Sequence, residues 1–367
     1  MNADARSNLS IGMVGGIFGH PQEYQSRVLW TPETMLLEGL RERGHSVRAI
    51  GHAERFDLAD FDVVHVHHLS WGAMRAATSF ASTPFVFTLH QSSTGHPGVA
   101  RFVMARADGI VALWPQEADT LGRSHRLDGV EIRVIPNGVD PVSFPFRAPE
   151  PRRGRPWRLL FVGQLIPAKG VDLLLEALAD LRLRHDAVLD LTYHASDQED
   201  LLRARSRQLG LEDVVRFVGS TSQAELSARY LAADIVVLPS RSGEALPSAL
   251  TEAMLSGRCP VATDVGGVRD QLGEFGIVVD EATPMAIARG VERAMETFEE
   301  HRRRAPAMRR YAEERFSPAA MVSAHEALYS SLMDRWRRPR RARGVRRVGT
   351  MFARAPLRLR GRSSRAT

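Results

Sequence analysis

Twelve short apolar runs, separated in several places by helical patterns, limit the folds open to this chain more than any other feature. The first six are Ile11–Gly15, Val47–Ile50, Val63–His67, Phe85–Leu89, Gly109–Leu113 and Glu131–Ile135. The second six are Leu159–Gly163, Leu189–Tyr193, Val214–Gly219, Asp234–Leu238, Pro260–Thr263 and Gly276–Asp280. Strands that alternate with helices form parallel sheets that are covered on both faces. The pattern therefore predicts an α/β protein with two doubly wound domains.

A change in composition marks the boundary between the two halves. The stretch between the halves carries prolines at 141, 145, 149, 151 and 156 and arginines at 147, 152, 153 and 155. Such stretches are typical of linkers between domains. We therefore assign residues 1–145 to a first Rossmann-like domain, 146–156 to a linker and 157–316 to a second Rossmann-like domain. Two such domains would face each other across a cleft in which two ligands can meet.

Capping residues define two helix starts. Thr31 can cap a helix that begins at Pro32, because proline suits the first turn of a helix. Ser317 and Pro318 repeat this arrangement, and the apolar spacing that follows predicts a helix over residues 317–334.

The composition is that of a globular protein. The chain has 367 residues, of which 44% are hydrophobic and 25% are charged. Its single cysteine, Cys259, excludes an internal disulfide and suits a reducing compartment. The apolar stretch Ile11–Gly19 is short, rich in glycine and without a basic flank, so we expect no signal peptide. Since no apolar run reaches the roughly 18 residues that a membrane span needs, we expect a cytoplasmic protein.

The end of the chain is a strongly basic tail. Arg335–Thr367 contains 13 arginines, no lysine and no acidic residue. Subtracting this +13 from the net charge of +6 leaves −7 for residues 1–334. Apolar residues between 345 and 352 fall at helical spacing, which allows an amphipathic helix on the anionic inner face of a membrane. Nucleic acid would attract the same charge, but we expect no specific nucleic acid, and a disordered tail without any partner stays open.

The stretch from Leu238 to Gly267 predicts a ligand site. The strand that ends at Leu238 runs into a loop broken by proline, serine and glycine. Pro247 and Ser248 then fit a helix start, and Ala249–Leu255 fits a short helix. Glu244 lies on the loop, and seven residues separate it from Glu252, about one turn into the helix. Ligands of α/β sheets bind at the carboxyl ends of strands, and the N–H groups of a helix start favour a phosphate. Both carboxylates can therefore face one ligand that carries hydroxyl groups.

This stretch resembles the donor site of the retaining glycosyltransferases of family four, the group 1 glycosyl transferases, which have the GT-B fold. The resemblance rests on the two spaced glutamates and on the Pro-Ser, Glu-Ala-Met and Gly-Gly elements around them, with Ala245 where the family usually has glycine. It implies that Glu252 binds the ribose of a nucleotide-sugar donor. Glu244 and the amides of Ala245 and Leu246 would position the sugar.

A second stretch resembles the other donor motif of the family. In the family, an arginine after a strand-ending glycine and a lysine five residues further on clasp the diphosphate. Here Gly163 is followed by Gln164, and Lys169 is present. A charged donor to an anion contributes roughly 1.5–3 kcal/mol, of which an amide recovers only part. We therefore hypothesise that Arg241 or Arg269 supplies the missing charge.

The resemblance also implies positions for the base and the leaving group of the donor. The backbone around Val218 would hold the base, and helix N–H groups near Leu250 and Thr251 would stabilise the leaving diphosphate. Gly16 and Gly19 form a candidate donor loop in the first domain, although the glycine pair of the family lies nearer to the first helix.

His90 completes the candidate catalytic set with Lys169 and Glu244. It follows the fourth apolar run, where family members place a histidine near the donor sugar. A histidine at the end of a strand can form a hydrogen bond with a sugar hydroxyl or stabilise a developing charge.

Two other patterns resemble metal sites by residue type alone. His65 and His67 share one strand face and His68 follows them, but no carboxylate or cysteine lies among the next residues, so we interpret these histidines as structural. Asp60 and Asp62 have the spacing of an acidic metal motif but precede their strand. We therefore expect neither a metal nor a cofactor, since a lysine and a helix start can neutralise a diphosphate.

Together these features predict a retaining glycosyltransferase. It would move a hexose-type sugar from a nucleotide diphosphate, UDP by family preference, to a saccharide, lipid or small-molecule acceptor held by the first domain. In the family, a C-terminal helix crosses back to the first domain, which we expect of residues 317–334. Two alternatives remain open. One is a sugar-nucleotide epimerase, and the other is a catalytically impaired binding protein of the same fold that docks through its tail, which Gln164 favours.

Overall fold

The structure, a computed structural model, describes residues 8–20, 31–79, 82–90, 97–125, 127, 129–151 and 154–337. These residues form two six-stranded parallel sheets, one in each half of the chain. The first contains β1 (Ser10–Gly15), β2 (Ser46–Gly51), β3 (Val63–His67), β4 (Phe85–Thr88), β5 (Gly109–Ala112) and β6 (Glu131–Val134), in the spatial order β2-β1-β3-β4-β5-β6. The second contains β7 (Trp157–Val162), β8 (Ala187–Thr192), β9 (Val215–Gly219), β10 (Ile235–Leu238), β11 (Cys259–Thr263) and β12 (Ile277–Val279), in the order β12-β11-β10-β7-β8-β9.

The predicted α/β fold with two facing Rossmann-like domains is confirmed. Each strand lies within two residues of the apolar run that predicted it. Every residue of Phe85–Thr88 and of Cys259–Thr263 is buried, as expected for parallel strands with both faces of the sheet covered. Cys259 belongs to this core, and burial raises the pKa of its thiol to about 12.

Helices flank both sheets. The first half contains α1 (Pro32–Glu42), α2 (Trp71–Thr78), α3 (Pro97–Arg106) and α4 (Pro115–His125). The second half contains α5 (Val171–Leu181), α6 (Glu199–Gln208), α7 (Gln223–Ala232), α8 (Ser248–Leu255), α9 (Val268–Leu272), α10 (Pro284–Glu296) and α11 (Phe298–Phe316). The predicted cap of α1 is confirmed, because Thr31 Oγ1 accepts a hydrogen bond from the backbone of Thr34 at 3.3 Å.

A last helix, α12 (Pro318–Arg337), packs against α1 of the first half. Val322 touches Gly39 so closely that a Cβ there would lie 2.5 Å from its Cγ2. Glu326 forms an ion pair with Arg43 at 2.5 Å. The helix extends three residues past the predicted end at 334, so the basic tail was assigned too early: Arg335 belongs to α12 and forms an ion pair with Glu131. The rest of the tail, residues 338–367, lies outside the described residues.

Two further points concern the sequence predictions. Asp62 Oδ2 accepts a hydrogen bond from the backbone of Ser10 at 2.8 Å, so this carboxylate connects strands β1 and β3. Within the described part of the chain, no helix combines the length and the apolar character that crossing a bilayer requires.

Candidate active site

Lys169 and Glu244 meet at the carboxyl ends of two paired strands of the second sheet. Lys169 ends the short 3-10 turn after β7, and Glu244 lies on the loop after β10, the neighbour of β7. The Lys169 Nζ lies 2.6 Å from Glu244 Oε1, and Ser240 Oγ donates a hydrogen bond to the same oxygen. Since the Glu244 side chain is only 4% exposed, one oxygen of a buried carboxylate is held by two donors.

Two glycines bring these loops into contact. Gly170 has φ +64°, and a Cβ on it would lie 2.1 Å from the carbonyl oxygen of Pro239. Gly266 has φ +62°, and a Cβ on it would lie 1.9 Å from the carbonyl oxygen of Glu244. Only glycine fits both the left-handed backbone and the close approach. The positions of the lysine and of the carboxylate therefore depend on glycines outside the pair.

Lys169 is the only lysine in the chain, since the other 48 of its 49 Lys and Arg residues are arginine. An ammonium group is a compact charge with three rotatable donors, whereas a guanidinium is a planar fork. Lys169 can therefore donate to Glu244 and, at the same time, to a second anion.

Glu252 lies on α8 and is held by a buried tyrosine. The Tyr230 hydroxyl lies 2.7 Å from Glu252 Oε2, and the tyrosine is fully buried. Burial raises the pKa of Glu252, although hydrogen bonds from Tyr230 and Ser248 oppose this. Because one carboxylate oxygen faces the tyrosine, the group has a fixed orientation from which it can bind hydroxyls.

These side chains surround a cavity of about 360 Å³. Its lining includes Gly163, Gln164, Lys169, His194, Gly219, Ser220, Thr221, Glu244, Ser248 and Glu252. A second cavity of about 380 Å³ shares Ser248 and Glu252 with it and reaches residues of the first half. That lining includes Pro32, Asn137, Asp140, Leu246, Thr251 and Gln271. Ser248 and Glu252 therefore border both cavities, where the second sheet meets the cleft between the halves.

Several residues that were expected at the site do not lie in the lining of either cavity. Val218 lies one residue before the Gly219–Thr221 segment, which takes its place, and Leu250 is completely buried behind the helix start. Gly16 and Gly19 pack beside His52 and Gly51 instead. The residues that connect this loop to α1 lie outside the described part of the chain.

The two arginines considered as replacements for the missing charge are bound by carboxylates. Arg241 donates to both oxygens of Asp172, at 2.7 and 2.6 Å. Arg269 lies 2.7 Å from Asp264 and 2.8 Å from Asp280. Neither lines either cavity, so the hypothesis that one of them replaces the arginine at Gln164 is not supported by this geometry.

A small apolar contact joins the two halves beside the cavities. Leu113 and Trp114, which follow β5, pack against Leu246, and Ala245 lies at the edge of this cluster. The loop that carries Glu244 is therefore supported from the first half as well as from its own sheet.

His90 lies in a separate cluster in the first half and does not line the cavity that contains Lys169. Its Nε2 lies 2.9 Å from Nδ1 of His67 and 4.0 Å from Oε1 of Glu33, and the same carboxylate oxygen lies 3.0 Å from Nε2 of His68. Burial lowers the pKa of His90 to about 4 and that of His67 well below its ordinary value. Burial opposes ionisation of Glu33, but the hydrogen bond from His68 and the nearby imidazoles lower its pKa overall.

Both ring nitrogens of His65 form buried hydrogen bonds. Its Nδ1 lies 2.7 Å from the hydroxyl of Tyr329 and its Nε2 lies 2.7 Å from Thr88 Oγ1. The ring is completely buried and joins α12 to the first sheet.

Sequence reasoning missed three side chains at these sites: Ser240, Tyr230 and Glu33. Ser240 and Tyr230 carry no motif, since a serine in a loop and a tyrosine on a helix are common. Glu33 had a detectable signal, because it is a carboxylate in the first turn of a helix whose neighbours Met35 and Leu36 are apolar. The histidines that Glu33 contacts lie more than thirty residues away in the chain, so these contacts could not be predicted from the residues around it.

Comparisons with known families agree with the division into two halves. A family described as Glycosyltransferase Family 4 matches residues 38–143, and one described as Glycosyl transferases group 1 matches residues 143–314. Glycogen synthase from Mycobacterium tuberculosis is 30% identical over 296 residues, which is 76% of this chain and 70% of that protein. Phosphatidyl-myo-inositol mannosyltransferase from Mycolicibacterium smegmatis is 34% identical over 254 residues, covering 62% of this chain and 61% of that protein.

Solved structures share the fold at low identity. Sucrose-phosphate synthase from Thermosynechococcus elongatus has a TM-score of 0.72 at 19% identity, covering 89% of this chain and 99% of that one. HepE from Anabaena in complex with UDP has a TM-score of 0.67 at 18% identity, covering 88% and 99%.

Proposed function

This chain belongs to glycosyltransferase family four, the group 1 glycosyl transferases, and from that membership we propose a retaining hexosyltransferase that uses a nucleotide-sugar donor. The observation that carries the proposal is the position of Lys169, Glu244 and Glu252 around one cavity at the carboxyl ends of parallel strands. That edge of a sheet is where α/β proteins bind nucleotides.

The donor would lie along this cavity. Glu252, oriented by Tyr230, would accept hydrogen bonds from the ribose. Lys169 and the free N–H groups at the start of α8 would face the diphosphate. Gly219 and the residues after it would hold the base in place of Val218. This order follows the cavity from β9 to the loop that carries Glu244.

Glu244 would position the sugar rather than attack it. Its Oε1 already accepts from Lys169 and Ser240, which lowers the nucleophilicity of that oxygen. The acceptor hydroxyl would then attack the anomeric carbon on the face from which the diphosphate leaves. The bond from that carbon to the phosphate oxygen breaks, and the leaving phosphate takes the proton. Stabilisation of the departing charge by Lys169 and the helix start is the main contribution of the protein.

We propose no metal at the diphosphate, because the Lys169 ammonium and the α8 N-terminus supply positive charge there. We propose UDP as the nucleotide because HepE, which shares the fold, was solved with UDP. The acceptor, a saccharide, lipid or small molecule, would enter from the side of the first domain through the cavity that reaches Asn137 and Asp140.

Thermal unfolding with UDP, GDP, ADP and CMP tests the donor site. A ligand at about 100 times its Kd adds roughly 2.7 kcal/mol of stability, so one nucleotide should raise the Tm of the wild type and not of Glu252→Ala. If none of the four stabilises the wild type, the proposed donor site is wrong. Transfer from a labelled nucleotide sugar then distinguishes a transferase from an epimerase, which needs no acceptor, and from an inactive binding protein.

The single lysine allows an independent test. An amine-reactive reagent can modify only the Lys169 side chain and the α-amino group, so mass spectrometry follows a single side-chain site. A bound nucleoside diphosphate should protect Lys169 from labelling, while the corresponding nucleoside should not. Equal labelling rates with and without the diphosphate would contradict the proposed role of Lys169.

A further inference from the structure

Four side chains of the first domain, Glu33, His67, His68 and His90, meet at one end of its sheet, and we call them the Glu33 cluster. Glu33 lies in the first turn of α1, His67 is the last residue of β3, His68 follows it, and His90 follows β4. The preceding residue of α1, Pro32, lines the cavity between the two halves. The cluster is therefore separate from Lys169 but lies beside the same cleft.

The distances within the cluster are close to those of a metal site. One donor atom each from Glu33, His67 and His90 lies within 4.8 Å of the other two. The imidazole nitrogens are 2.9 Å apart, and Nε2 of His90 is 4.0 Å from the carboxylate. Around Zn²⁺ with bonds of about 2.0–2.1 Å and tetrahedral angles, neighbouring ligand atoms are about 3.3 Å apart. The His67–His90 and His90–Glu33 separations each differ from this value by less than about 1 Å.

The charge of the cluster favours a cation. Glu33 is only 7% exposed, and the described side chains that contact or electrostatically influence its carboxylate are histidines. Burying a carboxylate without a cationic partner is costly. Imidazole binds a metal in its neutral form. A divalent cation held between the carboxylate and the imidazoles would compensate the buried negative charge.

The backbone at His68 supports a functional arrangement. His68 has φ +66° and is the only non-glycine residue in the left-handed region among the residues that the structure describes. In a continuing strand, the side chains of His67 and His68 would point to opposite faces. The left-handed backbone lets the second ring reach Glu33 as well. Backbone strain of this kind is typical of functional sites.

We propose that Glu33, His67 and His90 bind one divalent transition-metal ion, with Zn²⁺ as its representative. The fourth position is open to His68 or to an oxygen ligand. Two imidazoles and one carboxylate select zinc and its neighbours over magnesium and calcium, which prefer oxygen ligands. Three protein ligands with an open fourth position are also the arrangement of catalytic zinc sites.

Competition with a chromophoric zinc chelator tests this site in the full-length, tag-free chain. The wild type should bind one equivalent of Zn²⁺ tightly and should not bind Mg²⁺. Glu33→Gln keeps the size of the side chain and removes the charge, and His90→Ala removes one ligand without changing a buried strand. Each should weaken Zn²⁺ binding by more than the roughly 10–100-fold that changes outside the ligand shell cost. Co²⁺ should give the intense visible absorption of a four-coordinate site in the wild type alone.

His185 provides the matched control, because it lies 3.3 Å from Glu292 at the protein surface, a histidine–carboxylate pair outside the cluster. His185→Ala should bind Zn²⁺ as the wild type does. Circular dichroism checks that each variant is folded. Failure of the wild type to bind one equivalent, or wild-type affinity in both cluster variants, would overturn the proposal. Because binding is measured without sugar transfer, this outcome is independent of the proposed function.

Discussion

Replacing Gly266 with alanine should displace Glu244, and the structure allows the effect to be estimated. Gly266 has φ +62°, where a non-glycine residue loses about 1–2 kcal/mol. The added Cβ would lie 1.9 Å from the carbonyl oxygen of Glu244, so one of the two segments has to move by more than an ångström. Overpacking of this kind costs about 1–3 kcal/mol. We therefore expect Gly266→Ala to reduce the stability of the second domain by about 2–5 kcal/mol.

Gly243→Ala separates the two contributions. Gly243 lies in the neighbouring loop, beside Glu244 in the chain, with φ +78°, but no atom lies within 4 Å of an added Cβ. Its replacement should therefore cost only the backbone contribution of about 1–2 kcal/mol. Native-state hydrogen exchange of the β10 and β11 amides measures both variants in the second domain alone. Calorimetry with the stabilising nucleotide should show weaker binding for Gly266→Ala than for Gly243→Ala. Equal losses of stability in the two variants would refute the argument from close approach.

Two further predictions concern buried groups. Tyr230→Phe removes the hydroxyl that lies 2.7 Å from Glu252, so the pKa of Glu252 should rise further and nucleotide affinity at pH 7 should fall. Titration calorimetry measures the nucleotide affinity of each variant. The control is Tyr311→Phe, which removes a hydroxyl that donates to the backbone of Asp270. Equal nucleotide affinities for Tyr230→Phe and Tyr311→Phe would contradict the role of Tyr230. Burial raises the pKa of Glu117 from 4.5 to about 7, so the folded state binds more protons than the unfolded state between these values. The free energy of unfolding should therefore fall as the pH rises from about 4.5 to about 7. Denaturant unfolding of Glu117→Gln should show a weaker dependence of this free energy on pH. An unchanged pH dependence in the variant would contradict the role of Glu117.

The strands and the motif at Glu244 were accessible from the sequence because their signals are local. A parallel strand that is buried on both faces is a continuous apolar run, such as Phe85–Thr88, and needs no knowledge of its neighbours. Proline, serine and glycine around Glu244 mark the loop and the start of α8 in the same way. The end of α12 was less accessible, since arginine favours both a helix and a solvated tail, and the contact of Arg335 with Glu131 depends on a strand far away in sequence.

The candidate site could be predicted only in part. Lys169, Glu244 and Glu252 were identified by spacing and context, and the structure brings all three to one cavity. The ion pair between Arg241 and Asp172 could not be predicted from the sequence, because no local pattern shows which carboxylate a surface arginine contacts. For the same reason, the sequence could not show that His65 bonds to Tyr329 and Thr88, whereas His67 lies against His90 and His68 against Glu33.

The sequence by itself determined the two doubly wound domains, the family and the spacing of the donor-site residues, because these depend on periodicity and on short motifs. Only the tertiary structure decided which groups face one another across long separations in the chain. It placed Glu33 beside His67 and His90, Tyr230 behind Glu252, and the backbone of Gly266 against Glu244. These contacts form where loops from different strands converge at one edge of a sheet, and that convergence is a property of the folded chain.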